Sequence, residues 1–172
     1  ILRNANLPTP KSWTFYKRFP LPITMDALPL PLAVKPSSEG SSIGLTCVRH
    51  HGQLKSALDK AWEYGEEALV EEWITGDEIT AGILGEEPLP LVQIISAEEF
   101  YNYKAKYDSQ STRYIVPAPL NAEETEKIQK IALKAFHILA CYGYARIDLI
   151  LAKDKTPYIL ELNAIPGFTS SS

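Results

Sequence analysis

Residues 144–163 read Tyr144-Ala145-Arg146-Ile147-Asp148-Leu149-Ile150-Leu151-Ala152, then Lys153-Asp154-Lys155-Thr156, then Pro157-Tyr158-Ile159-Leu160-Glu161-Leu162-Asn163. Two apolar runs joined by a short polar link predict a β-hairpin. Side chains alternate faces along a strand. Arg146 and Asp148 therefore share one face and Ile147 and Leu149 the other. Glu161 and Asn163 likewise share a face, opposed by Leu160 and Leu162. If the runs pair, one patch collects an arginine, two carboxylates and an amide oxygen. Burying such groups is costly unless they are paired or hold a cation. Oxygen donors without His or Cys favour Mg²⁺ or Mn²⁺. A salt-bridge network on a solvated sheet face accounts for the same residues.

Working outward, residues 122–141 predict a helix. Its apolar face is Ile128, Ile131, Ala132, Ala135, Phe136 and Leu139, with Asn121 and Glu124 as a capping box and Gly143 as the residue past its end. Residues 96–119 are polar and tyrosine-rich, the pattern of a long functional loop. Lys104 and Lys106 in it can close over phosphates as a lid, or be solvated surface lysines. Further back, 68–73, 78–84 and 89–95 read as strands. Leu54, Ala57, Leu58, Ala61 and Trp62 mark one face of a helix over 52–64. A short strand ending Ala33-Val34-Lys35 meets the small-residue loop 36–44, and 43–48 reads as another strand. Six prolines make 1–31 an extended lead-in. The expected class is α+β, with mixed or antiparallel sheets covered by helices. The expected division is 1–31 as a linker, 32–95 as a central lobe and 96–172 as a C-terminal lobe.

Two weaker signals lie in the central part. Backbone N–H groups and hydroxyls of the Gly40–Gly44 loop can wrap phosphate, with Lys35 supplying charge, although a plain turn reads the same. Neither a P-loop nor a dinucleotide fingerprint is present. Glu71-Glu72-Trp73-Ile74 leading to Glu78 can offer backbone to a base and a carboxylate to ribose, or be a charged edge strand. Of 172 residues, 45% are hydrophobic and 22% charged, and the net charge of −4 argues against bulk nucleic-acid binding. No apolar run reaches membrane-spanning length. Two cysteines without a Cys-x-x-Cys pair suggest a reduced, cytoplasmic protein. No role is assigned to His50, His51 or His137.

In order, Val34-Lys35-Pro36 with Glu39-Gly40-Ser41-Ser42, Glu71 through Glu78, Ala105-Lys106-Tyr107, Ala145-Arg146-Ile147-Asp148, Leu160-Glu161-Leu162-Asn163 and Pro166-Gly167-Phe168-Thr169 resemble the motifs of the D-alanine–D-alanine ligases. These are ATP-grasp enzymes whose two lobes enclose a nucleotide. The likeness spans roughly residues 28–172. It implies ATP-dependent joining of two D-alanines through an acyl phosphate, for peptidoglycan precursor synthesis. It also implies that Lys35, Lys106 and Ser42 contact ATP phosphates, that Glu71 and Ile74 meet the adenine, and that Glu78 meets the ribose. Asp148, Glu161 and Asn163 would hold two Mg²⁺ or Mn²⁺ ions. Arg146 and the Gly167 N–H would form an oxyanion site, with Ser41 and Tyr107 completing the catalytic set. Ser172 would bind the second D-alanine.

Glu72 departs from the family, which often has Lys there. The resemblance implies an N-terminal domain absent from this sequence, a C-terminal lobe cut short, and a homodimer as one assembly of the full-length enzyme. Ligation to D-lactate or another acceptor is the competing activity, which Tyr107 argues against. A nucleotide-binding module without catalysis is the competing class.

Overall fold

The computed structural model describes residues 1–21, 25, 27–40, 42–96 and 112–167. They form two compact units, each built on its own antiparallel sheet.

The unit formed around residues 10–73 holds β1 (Ser12–Tyr16), β2 (Leu32–Pro36), β3 (Thr46–Val48) and β4 (Glu67–Glu72), in the order β1-β4-β2-β3. Helix α1 (Leu54–Ala61) packs on β2. The five residues of its expected apolar face, Leu54 to Trp62, are all buried, and they meet Phe15, Leu32, Val34, Ala68 and Val70. Burying a side chain such as Leu58 contributes roughly 2 kcal/mol. The helix is shorter than its periodicity suggested, because a 3-10 turn at His51–Gln53 precedes it and Trp62 caps it. The expected strand over 43–48 shrinks to three residues. Ser42 and Gly44 adopt left-handed backbone, at φ 59° and 71°, which turns the chain before Thr46. A side chain at Gly44 would also meet the Pro36 ring at 2.8 Å.

The other unit holds β5 (Gly76–Leu84), β6 (Glu87–Pro88), β7 (Val92–Ser96), β8 (Thr112–Ile115), β9 (Tyr144–Ala152) and β10 (Pro157–Asn163). Its order is β10-β9-β5-β7-β8, with β6 beside β5. Helix α2 (Ala122–Ile138) covers one face, burying Ile128, Ala132, Ala135 and Phe136 against Ile79, Ala81, Ile83, Ile147, Leu149 and Ile159. The capping box is present, with Glu124 N donating to Asn121 Oδ1 at 2.8 Å. The helix ends three residues before the expected position. Ala140, at φ 53°, takes the left-handed backbone directly past its end, with Gly143, at φ 79°, doing so three residues later, and Ala140 N and Cys141 N close the helix onto His137 O and Phe136 O.

The division of the chain corrects the expected one. Strands β5 and β7, expected in a central lobe with β2 and β4, belong to the sheet of β9 and β10. The reason is a nine-pair ladder from Gly76↔Ala152 to Leu84↔Tyr144. Gly76 makes its start possible, since a Cβ there would lie 2.1 Å from Leu151 O. The expected linker 1–31 is likewise divided. Leu7 is buried in the β5–β9 core and Pro8 O accepts from Ile159 N, whereas β1 pairs with β4. Strand β8 falls inside the expected loop 96–119. It is four residues long, paired among the described residues with β7 alone, and carries Arg113 within it, too short for alternation to reveal it.

Candidate functional site

The hairpin of β9 and β10 begins in simple register, with Pro157↔Leu151, Tyr158↔Ile150 and Ile159↔Leu149. Continued, that register would set Glu161 opposite Ile147, on the buried face. It does not continue. A bulge at Leu160 adds one residue to β10, after which Glu161 opposes Asp148 and Asn163 opposes Arg146. A one-residue shift exchanges the two faces of a strand. Here it turns Glu161 and Asn163 toward Asp148 and Leu162 toward the core. Leu160, expected to share a face with Leu162, is instead exposed at the bulge.

The expected patch therefore assembles, through a device that plain alternation does not supply. Asp148, 8% exposed, is its centre. Arg146 Nε donates to Asp148 Oδ1 at 2.9 Å and Nη2 to Oδ2 at 2.7 Å. Asn163 Nδ2 donates to Asp148 Oδ2 at 3.1 Å and Glu161 Oε1 at 3.3 Å, so the amide lies between two carboxylates. From β5, Thr80 Oγ1 donates to Asp148 Oδ1 at 2.6 Å. Thr80 was not singled out in the sequence. The signal for it was there, because it follows Glu78 by two residues and so shares its face. Among the described residues no three His, Cys, Asp or Glu side chains cluster. The patch offers two carboxylates and an amide, which a half-turn would present through its oxygen. That all-oxygen donor set fits a hard divalent cation.

On the sheet of β1–β4, Lys35 and Glu71 both point away from the core, as the alternating burial of β2 and β4 requires. Lys35 Nζ lies 2.6 Å from Glu71 Oε2. Residues 8–172 match the family described as "D-ala D-ala ligase C-terminus". The chain belongs to this family. It is 47% identical over 151 residues to a D-alanine–D-alanine ligase of Vesicomyosocius okutanii, covering 88% of this chain and 52% of the relative. It is 48% identical over 147 residues to that of Nitrosomonas europaea, covering 86% and 48%. The chain thus spans about half the length of the curated relatives it matches. Among solved structures, a D-alanine–D-alanine ligase from Bacillus anthracis complexed with ATP superimposes with a TM-score of 0.84 at 34% identity, over 99% of this chain and 54% of that one. A VanG D-Ala:D-Ser ligase from Enterococcus faecalis gives 0.80 at 32%, over 99% and 52%. The α+β, ATP-grasp class expected from the sequence is the class of the fold.

Glu72, where this chain departs from the ligase family, is held by Lys11. Glu72 Oε1 is 3.3 Å from Lys11 Nζ, Glu72 Oε2 accepts from Lys11 N, and Glu72 N donates to Lys11 O. The residue clamps the approach to β1. Ile74, two residues before β5 in the chain, is half-buried, and Glu78 is half-buried on the same face of β5 as Thr80. Ser42 is half-buried in the left-handed turn, and Gly167 is exposed. Ser41, Lys106, Tyr107 and Ser172 lie outside the described residues, as does Lys104.

Proposed function

We propose that this chain is the nucleotide- and metal-binding part of an enzyme that uses ATP to join two D-alanines, producing D-alanyl-D-alanine for peptidoglycan precursors in the cytoplasm. The observation that carries the reading is the convergence of Arg146, Asp148, Glu161 and Asn163 on one sheet face through the bulge at Leu160. A chain folding for stability alone has little use for a register shift that gathers two carboxylates. The family membership and the ATP complex of a structural relative support ATP as the co-substrate. No described helix is long and apolar enough to cross a membrane.

Asp148, Glu161 and Asn163 would hold Mg²⁺ or Mn²⁺, two ions by family likeness. Bound there, the ions would draw charge from the phosphate oxygens during transfer. A carboxylate is a poor electrophile, so the first D-alanine must become an acyl phosphate. Lys35, Lys106, Ser41 and Ser42 would orient the phosphates, Glu71 and Ile74 the adenine, and Glu78 the ribose. Arg146 and the Gly167 N–H would then stabilise the oxyanion formed when the second amine attacks. Tyr107 would exclude water from the acyl phosphate, and Ser172 would hold the second carboxylate.

Glu161→Gln tests the metal assignment. It should weaken Mg-ATP binding in calorimetry by about tenfold or more, as loss of a coordinating or orienting group at a metal site does. Unchanged affinity would remove Glu161 from the set. Release of ADP that depends on D-alanine, compared with D-serine and D-lactate as acceptors, tests the reaction. ADP release in the intact protein that no D-amino acid stimulates would leave a nucleotide-binding module.

A further inference from the structure

We propose that Thr80 is a positioning residue for Asp148, fixing which carboxylate oxygen faces the cation site. The proposal rests on the reading of Asp148 as a cation ligand and adds a residue to it. Asp148 lies on the strand between β10 and β5, directly paired with Glu161 on one side and Thr80 on the other. The Thr80 hydroxyl has one proton and two acceptors in reach, Asp148 Oδ1 at 2.6 Å and Ile147 O at 3.4 Å. The shorter distance is that of a hydroxyl donating to an ionised carboxylate, and such charge-assisted bonds are the stronger kind. The proton therefore goes to Oδ1.

That bond divides the work of the two oxygens. Arg146 spans both oxygens, Nε at 2.9 Å from Oδ1 and Nη2 at 2.7 Å from Oδ2, whereas Thr80 holds Oδ1 alone, on the side of β5. Oδ2 faces β10, where Asn163 Nδ2 and Glu161 lie. The terminal torsion of an aspartate is broad and has no sharp rotamer of its own. Arg146 can follow a rotating carboxylate, because its long side chain is flexible. Thr80 cannot follow, because its χ1 is restricted by β-branching and its backbone is held by the β5–β9 ladder. Thr80 thus fixes the orientation at Oδ1, where Arg146 only neutralises charge; Asn163 reaches Oδ2 alone, and gives up that bond when its amide turns its oxygen to a cation.

The test is Mn²⁺ binding to the intact protein, followed by electron paramagnetic resonance, in Thr80→Val, Thr80→Ser and Asp148→Asn. Valine keeps the shape and removes the donor, whereas serine keeps the donor. Asp148→Asn and Thr80→Val should each weaken Mn²⁺ binding, Thr80→Val by about tenfold, the usual effect of losing a group that orients a ligand. Thr80→Ser should stay within about threefold of the parent. If Thr80→Val does not fold, Thr80→Ala carries the same comparison. Full Mn²⁺ affinity in Thr80→Val beside a clear loss in Asp148→Asn would overturn the role of Thr80. So would an equal loss in the serine and valine variants, which would assign the effect to the methyl group. Full affinity in Asp148→Asn would instead remove the cation reading on which the proposal stands.

Discussion

The two polar patches, Asp148 with its donors and Lys35 with Glu71, both occupy the non-core face of an antiparallel sheet, and they are held in opposite ways. Asp148 is held from three strands, by the Arg146 guanidinium and by the short side chains of Thr80 and Asn163, whose places are set by backbone register. Lys35 and Glu71 meet across β2 and β4 through two long side chains and a single ion pair, with Lys35 29% exposed. The first arrangement is fixed before any ligand arrives. The second can rearrange, since a lysine that turned to a phosphate would exchange one anion for another. Precision in the first patch is therefore bought by the backbone, and error there is an error of register.

The strongest way to break this contrast is to delete Leu160. Without the bulge, β10 would continue its first register and place Glu161 opposite Ile147. Burying that carboxylate among apolar side chains costs several kcal/mol. The expected result is a large fall in the urea midpoint together with loss of Mn²⁺ binding. Leu160→Ala keeps the bulge and removes a partly exposed side chain, so it should cost under about 1 kcal/mol and keep Mn²⁺ affinity. A deletion variant that still binds Mn²⁺ would show that register does not hold the patch.

A double-mutant cycle on Lys35→Ala and Glu71→Ala measures the looser patch. One partly exposed pair should give a coupling of about 1 kcal/mol or less by denaturant titration. A coupling above about 3 kcal/mol would mean that this pair is as rigidly held as Asp148, and the contrast would fail.

The smallest effect sharpens the baseline. Lys155 in the hairpin link lies 2.8 Å from Glu124 on α2, at the surface. The Lys155 hydrogen bond is the largest influence on Glu124 and holds its carboxyl below the ordinary value of 4.5, aided by the Asn121 backbone and opposed by partial desolvation. A folded pKa below the unfolded one stabilises above the unfolded value. That contribution disappears as pH falls through the folded value. Lys155→Ala should raise the Glu124 midpoint in an NMR titration and flatten the acid side of the stability profile slightly. An unmoved midpoint would mean that the ion pair does not persist in solution.

Much of this molecule was legible before its structure. The apolar faces of α1 and α2 could be counted, the capping box at Asn121 could be read, and the β9–β10 hairpin followed from its two runs. The bulge was legible in principle. Pro157 and Ile159 put apolar groups at odd positions, after which Glu161 and Asn163 put polar groups at odd positions. That change of parity is the mark of an inserted residue. What the sequence hid was long-range pairing. Nothing near Glu78 or Thr80 states that their strand lies beside β9 rather than β4, because both choices bury Ile79 and Ala81 equally well. The left-handed Ala140 was hidden for a different reason, since Gly143 was the residue that local preference favoured.

The β5–β9 ladder also sets an order for the nascent chain. Strands β1 to β4 and α1 all lie within residues 10–73, so that sheet and its core can close as soon as this stretch has left the ribosome. Strand β5 emerges next, and its Thr80 must wait 68 residues for Asp148. Until α2 and β9 follow, Ile79, Ala81 and Ile83 have neither helix nor central strand to cover them. Closing so long a loop is slow, and uncovered strands are what a chaperone grips or an aggregate recruits. Within this stretch of chain the exposed apolar strand persists through one interval, between the appearance of residue 76 and that of residue 152.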